Sequence, residues 1–483
     1  MSENTGAPQT TASKVTGVSP RPRKVPRIVV LGGGTVGVYA AKRLRKRLGR
    51  REAAIVVVDP RPYMTYAPFL PEVAAGSISD RDVVAPHNRA LKHIDTLLGS
   101  VTNIRHADRT IEITPEVGPA YEVHYDHLIV GLGSVSRVLP IPGLAEYAIG
   151  FKNVEEAIAV RNHVLDRILV AASMWDKEAR KRLLTFTFVG GGFAGMEAIA
   201  EIEDMARSAV KQQATLEASD LNFVMIEGSG RVLPELPPEM AEYALDALKK
   251  RGITFHLNTF LSSCVDGHVV TSTGVEFESD TIVWTAGVKA HPVIADSDLN
   301  TDRMGRLTTN TKLQAIDADG NVIPDVYGAG DCAAVPDVYS DGGFCVPNAQ
   351  HAVRQAVLLG DNLASVLRSG DLKEYAHKNL GTVAGLGLHK GVAVLFGVIK
   401  LRGFPAWLAH RGYHLSAMPT ISRRARITTG WMSAYLMRRE LVPLGPLHDP
   451  RQEFRKAAMS LTPRPAAPAP AAEESETTKP ETA

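Results

Sequence analysis

The sequence predicts an α/β fold with two Rossmann-like dinucleotide-binding domains, the second inserted in the first, and a further C-terminal layer. Three observations carry this. PRIVVLGGGTVGVYAAKRL at 26–44 and TFTFVGGGFAGMEAIAEI at 185–202 share one layout: an apolar run, a glycine turn, then a helix. Each is followed by a second apolar run that ends in an acid, IVVVD at 55–59 and FVMIE at 223–227. Continuous apolar runs capped by glycine suit strands buried on both faces of a parallel sheet.

In the first unit the expected strand is Arg27–Leu31, the turn Gly32–Gly34 and the helix Val36–Leu48. Gly32, Gly34 and Gly37 fill a G-x-G-x-x-G pattern between strand and helix, the context in which it signals dinucleotide binding. One glycine makes the tight turn, one lets a pyrophosphate approach, and one lets helix pack on strand. Helix N–H groups then meet the phosphate charge. Asp59, ending the next strand, is placed to accept hydrogen bonds from a ribose. Gly190, Gly192, Gly195 and Glu227 repeat the arrangement. An acid at that strand end repels a 2′-phosphate and so favours NADH over NADPH, although Arg231 close by keeps NADPH open. Two cradles imply two dinucleotides, FAD and NADH being the economical pair.

Composition narrows the rest. The 483 residues are 45% hydrophobic and 22% charged with a net charge of +2, as in an ordinary globular protein and unlike a nucleic-acid binder. Cys264, Cys332 and Cys345 are too scattered for a disulfide framework or a structural zinc site, and no metal site is expected. No apolar run reaches about 18 residues, so no spanning helix is predicted. Residues 1–25 and 459–483 are polar or Pro/Ala-rich and read as disordered tails. Gln350–Leu367 reads as one long helix.

These residues resemble the two-dinucleotide-binding flavoproteins and, within them, the type II NADH:quinone dehydrogenases. The similarity runs from about Pro26 to Leu444, on YDHLIVGLGSVSRVLPIPG (125–143), TIVWTAGVKAHP (281–292), DVYGAGDCAAVP (325–336) and PNAQHAVRQA (347–356). It implies an FAD domain from 26–145 and 292–377, an NADH domain at 146–291, and a membrane- and quinone-side helical region at 378–458. Gly330 and Asp331 of GAGDCA would hold the flavin's ribityl or pyrophosphate region. Ala349 and Gln350 would lie beside its ring, and Ala286 and Gly287 would join the nucleotide sites. Glu197, early in the second cradle's helix, would point toward the rings. Catalytic roles are therefore expected of Glu197 and Gln350. No cysteine precedes Cys264, which excludes the disulfide-reducing and peroxidase relatives.

One departure stands out. Members often carry two glutamines four residues apart on the long helix. Here Gln350 and Gln355 are five apart, which turns them about 140° from each other, so only Gln350 is carried over.

Ile427, Trp431, Ala434 and Tyr435 form a helical stripe flanked by Arg423, Arg424, Arg426, Arg438 and Arg439. That pattern suits a helix lying in an anionic bilayer interface through 419–440, the alternative being packing on the protein's own core or on a second subunit. His389, Lys390, His410 and His414 remain unassigned. The expectation is a peripheral enzyme at the cytoplasmic face of the cell membrane, passing electrons from NADH through FAD to a quinone, with monomer and homodimer both open. A soluble protein carrier as acceptor, or a low-turnover dinucleotide-sensing protein, are the alternatives.

Overall fold

In the computed structural model, residues 25–339, 342–378, 381–437, 439–444, 451 and 455 are described. Apart from Val25, both expected tails lie outside these residues, as does Arg438. Residues 1–443 form one compact unit and 444–483 a second, of which only Leu444, Arg451 and Arg455 are described.

The chain opens with β1 (Arg27–Leu31), α1 (Thr35–Arg47), β2 (Ala54–Asp59), the short α2 (Leu70–Ala74), β3 (Asp95–Leu98) and β4 (His127–Val130). It then crosses into β5 (Ala148–Gly150), α3 (Val154–Ala172), β6 (Thr185–Val189), α4 (Phe193–Val210), β7 (Asn222–Ile226), β8 (Ile253–His256) and β9 (Thr281–Trp284). It returns through β10 (Gln314–Ile316), β11 (Val322–Gly328) and α5 (Ala349–Val366).

The first sheet has the order β10-β11-β4-β1-β2-β3 and the second β5-β9-β6-β7-β8. All pairs are parallel except β10 with β11. β10 and β11 of the first sheet follow the whole second sheet in the chain, so the second unit is an insertion. In the first sheet the chain starts at central β1, steps outward to β2 and β3, and returns on the other side; in the second, after edge strand β5, it does the same from β6 through β7 and β8 to β9. That reversal opens a crevice at the carboxyl ends of β1 and β4, and again at β6 and β9, where ligands bind in folds of this kind. The burial explains the sequence pattern: Ile28 to Leu31 have no exposed surface, and β6 is buried throughout. α1 packs on α5, where Gly360 brings the helices together and the Arg43 guanidinium donates two hydrogen bonds to Asp361, at 2.8 and 2.7 Å.

The C-terminal layer is not only helical, as the sequence had suggested. It begins with an antiparallel sheet of β12 (Gly381–Gly385), β13 (Gly391–Leu395) and β14 (Ile399–Arg402), covered by α6 (Phe404–Ala417) and followed by α7 (Ile421–Leu436). No helix among the described residues is long and apolar enough to cross a membrane.

The expected apolar stripe of α7 also faces the other way. Ile427 is fully buried, worth about 1.5–3 kcal/mol of burial. Trp431 packs on the core, and its indole N–H donates to Glu72 at 2.9 Å. The protein's own core is thus the stripe's partner. The Tyr435 side chain lies outside the described residues. A second stripe, Ile421, Ala425, Met432 and Leu436, lies within about 60° on the outer face, with Ile421 82% and Leu436 75% exposed.

Candidate functional site

The two cradles are built on one plan. In the first, the Gly33 N–H donates to Asp59 Oδ2 at 2.6 Å and the Arg61 N–H to Oδ1 at 2.7 Å. In the second, the Gly191 N–H donates to Glu227 Oε2, while the Ser229 N–H and hydroxyl both donate to Oε1 at 2.7 Å. Each strand-end acid is therefore fixed by its own glycine turn. Gly32 and Gly190 both have left-handed φ values, +90° and +113°. A Cβ on Gly37 would stand 1.8 Å from the Gly32 carbonyl oxygen, and one on Gly195 1.9 Å from that of Gly190. Those two glycines exist for helix-on-strand contact. Gly34 and Gly192 differ, since a Cβ on either would meet nothing within 4 Å. The space over them is open, and it is there that a pyrophosphate would lie against the first helical N–H groups. The residues present fit a dinucleotide in each cradle.

Both cradles open into one cleft of about 1560 Å³. A site for one small ligand occupies roughly 300–1,000 Å³, so this cleft has room for two large ones meeting end to end. Its walls include Gly32, Gly34 and Asp59 from the first cradle and Gly190, Gly192, Glu227, Ala286 and Gly287 from the second. Between them stand Glu197, Asp331, Ala349 and Gln350. The structure therefore brings most of the expected residues to one place. Gly37, Gly195 and Gly330 lie behind the walls as packing and turn residues.

Asp331 accepts from the Ser134 hydroxyl at 2.7 Å and faces Lys152 Nζ at 3.4 Å. Gly330 sets the turn at φ +76°, and its N–H donates to Gln355 at 2.8 Å. Gln355 is fully engaged there, away from Gln350, as their spacing required. Gln350 is on the cleft wall, and its amide donates to the Gly381 carbonyl at 2.8 Å. Thr285 donates to the Gly190 carbonyl at 2.9 Å, which seats Ala286 and Gly287 behind the second turn.

Glu197 enters the cleft wall from α4. Its Oε1 accepts from the Gly385 N–H at 2.8 Å and lies 3.0 Å from His410 Nε2. Burial pushes its carboxyl up to about 7, the Gly385 hydrogen bond opposing. It is poised to hold or release a proton at neutral pH, as a general acid requires. The Arg231 guanidinium, which left NADPH open, donates to the carbonyls of Pro234 and Leu236 and is committed to its loop.

Several residues were missed. Ser134 sits inside the 125–143 motif and could have been found. Lys152 and His87, whose ring nitrogen lies 2.8 Å from the Gly33 carbonyl, carry no motif signal. His410 and His414 have no paired ligand or motif spacing that assigns them a role, yet the fold brings His410 to Glu197. The three cysteines are buried and free, and burial pushes the thiols of Cys332 and Cys345 up to about 12 and about 11. None lines the cleft.

Among curated proteins, the chain is 28% identical over 436 residues to the type II NADH:quinone oxidoreductase Ndh of Mycobacterium tuberculosis, covering 87% of this chain and 90% of that one. It is 27% identical over 382 residues to the type II NADH:quinone oxidoreductase of Haemophilus influenzae, covering 74% and 84%. Among solved structures, NDH2 from Plasmodium falciparum in complex with NADH superposes with a TM-score of 0.78 at 18% identity, covering 86% of this chain and 99% of that one. The family model described as pyridine nucleotide-disulphide oxidoreductase matches residues 26–356, and the chain belongs to that family.

Proposed function

We propose that this protein is a type II NADH:quinone oxidoreductase, with FAD in the first cradle and NADH in the second. The observation that carries the reading is the single cleft shared by two complete cradles, with no cysteine on its walls. Bound there, FAD supplies a two-electron carrier between NADH and the acceptor. The chain's own residues do the rest. Asp59 and Glu227 would each hold a ribose, and the open turns at Gly34 and Gly192 would seat the pyrophosphates. Asp331 and Lys152 form a polar pair on the wall for the flavin chain. The N-terminus of α5, capped by the Asn348 side chain on the His351 N–H at 2.9 Å, would hold Ala349 and Gln350 beside the ring.

Quinone as acceptor is supported by the names of the two curated relatives. Membrane contact is supported by the outer stripe of α7 together with exposed Phe396, Val398, Phe404 and Leu408 in the same layer. Apolar side chains of this size, left in the open in a layer that also exposes Arg426, suit an interfacial layer on anionic lipid. We assign the protein to the cytoplasmic face, where NADH is supplied. Both cradles and Glu197 come from one chain, so a second copy is not needed to complete the cleft.

The test is anaerobic addition of NADH to the purified yellow protein, then of a soluble quinone. Bleaching followed by recovery is expected. Bleaching with no recovery by any quinone would refute the acceptor, and a protein that takes up no flavin would refute the whole reading.

A further inference from the structure

α4 presents two carboxylates to α6, one helical turn apart, and the two meet opposite surroundings. Glu201 faces cations: Arg411 Nη2 lies 3.7 Å from one oxygen and Arg439 Nη2 3.8 Å from the other. Arg411 in turn pairs with Glu72 at 3.2 Å and lies over the Trp407 and Trp431 rings. That group is a buried ionic tie between α2, α4 and α6. Glu197 instead faces two imidazoles. His410 Nε2 stands 3.0 Å from its Oε1, near enough for a hydrogen bond but outside the alignment for one. The His414 ring follows, its centroid 4.6 Å from that of His410. His414 Nδ1 lies 3.1 Å from the Tyr66 hydroxyl, and the Tyr413 ring is 5.0 Å away. Tyr413 and His414 themselves line the cleft.

We propose that His410 and His414 are a proton relay that reloads Glu197 when bound nucleotides cut the carboxyl off from water in the cleft. This rests on the reading of the protein as an NADH:quinone oxidoreductase. The overall reaction is NADH + H⁺ + quinone → NAD⁺ + quinol. NADH gives up two electrons and one hydrogen as hydride. The quinone gains two electrons and two protons, so one proton per turnover comes from solvent through the protein.

Glu197 is the store for that proton. With NADH over the second cradle, its open side is covered, and the way in is from the part of the cleft wall formed by His414 and Tyr413, where Tyr413 is 37% exposed. His410 is 4% exposed, and its ring lies between Glu197 and the His414 ring, a small reorientation away from a hydrogen bond to the carboxyl. A neutral imidazole can accept a proton on one nitrogen while releasing one from the other. Burial keeps both rings neutral at pH 7, lowering His410 to about 4 and His414 to about 3. The charged groups around the pair are Glu197 and Glu201 on α4, Arg411 on α6 and Glu72 on α2, with Tyr66 and Tyr413 as neutral neighbours. Burial pushes Glu201 up to about 7 as well, against Arg411, so Glu197 is told apart by its contact with the His410 ring rather than by its charge, and the Glu197→Gln difference isolates it. His410 and His414 are positioning and relay residues; of the three, only Glu197 would touch the reacting rings.

The test uses the FAD-loaded protein and its variants His410→Gln and His414→Asn. The first readout is not activity. Infrared titration of the carboxyl, taken as wild type minus Glu197→Gln, gives the Glu197 midpoint. It is expected near pH 7 in the wild type and displaced in His410→Gln. The second is stopped-flow of each half-reaction between about pH 5.5 and 8.5. Both variants should slow reoxidation by quinone on the order of 10²-fold and flatten its pH dependence. Added imidazole should restore part of the rate in His410→Ala. Should His410→Gln fail to hold FAD, His414→Asn carries the same expectations. A wild-type pH profile in both variants, with an unmoved Glu197 midpoint, overturns the relay. Wild-type protein that quinone does not reoxidise overturns the functional reading itself, whatever the variants do.

Discussion

Gly34 and Gly37 lie three residues apart in one turn, yet alanine at each should fail in a different way. At Gly37 the new Cβ would sit 1.8 Å from the Gly32 carbonyl oxygen and 2.9 Å from its carbon. Both are backbone atoms, and neither can swing aside as a side chain could. α1 must move off β1, and overpacking of this kind costs about 1–3 kcal/mol, toward the upper end here. At Gly34 the Cβ would meet nothing within 4 Å, and φ is −77°, which alanine accepts. The fold should not register that change. The pyrophosphate should, because the methyl stands where it must approach. Losing one charge-assisted hydrogen bond of about 1.5–3 kcal/mol weakens binding roughly 10- to 150-fold. The assay pairs thermal melting of flavin-free protein with FAD titration by fluorescence quenching. Gly37→Ala should lower both stability and affinity; Gly34→Ala should lower affinity alone. A Gly34→Ala protein that binds FAD as tightly as wild type would show that no phosphate lies on this turn. A Gly37→Ala protein that melts like wild type would refute the close-contact argument.

The second cradle, Glu197, the cysteines and the outer stripe each supply a further expectation. Glu227→Ala should cut the preference for NADH over NADPH, read as the ratio of kcat/KM values, by at least about tenfold. A carboxylate 4 Å from a phosphate charge costs about 4 kcal/mol at an effective dielectric of about 20. For Glu197, the folded carboxyl titrates at about 7 against an ordinary 4.5, so the native state holds the extra proton between those values. Its contribution is therefore intact below about pH 4.5 and lost as pH rises through 7, about 3 kcal/mol in all. Urea unfolding should show Glu197→Gln gaining on wild type between pH 5 and 8; a constant difference would contradict the raised carboxyl. Cys345→Ser should keep NADH-driven quinone reduction, and its loss would point to thiol chemistry. Changing Ile421, Met432 and Leu436 together to Ser should reduce sedimentation with anionic vesicles while leaving melting unchanged; equal sedimentation would remove the outer stripe from the membrane contact.

The sequence was most readable where backbone geometry constrains residue type. Gly32 and Gly190 need left-handed φ, Gly37 and Gly195 need the absence of a Cβ, and β1 and β6 need apolar side chains on both faces. Those demands appear as letters in fixed order, so both cradles could be drawn in advance. Lys152 could not, because it comes to Asp331 from a loop far away in the chain and any surface lysine looks the same. α7 was misread for a related reason. Helical periodicity shows that Ile427 and Trp431 share a face but not what that face meets, and an indole suits a buried hydrogen bond to Glu72 as well as a lipid headgroup. Ile421, Met432 and Leu436 lie on the open side, where the spacing that singles out Ile427 and Trp431 does not point.

The inward stripe changes what the C-terminal layer is for. If α7 lay on lipid by its Ile427 face, 419–440 would be a detachable anchor and its deletion a clean test of membrane dependence. Instead, Trp431 hydrogen-bonds Glu72, Glu72 holds Arg411, and Arg411 sits beside His410 on α6. His410 in turn meets Glu197 on the cleft wall, and Gly385 from β12 fixes the same carboxylate. A continuous set of buried contacts thus runs from the helix with the outer apolar stripe to the carboxyl between the cradles. Removing α7 would leave Glu72 and Arg411 without their indole neighbour and loosen α6 against Glu197, so lost activity would say nothing about lipid. Only substitutions confined to the outer face separate attachment to a membrane from the integrity of the site.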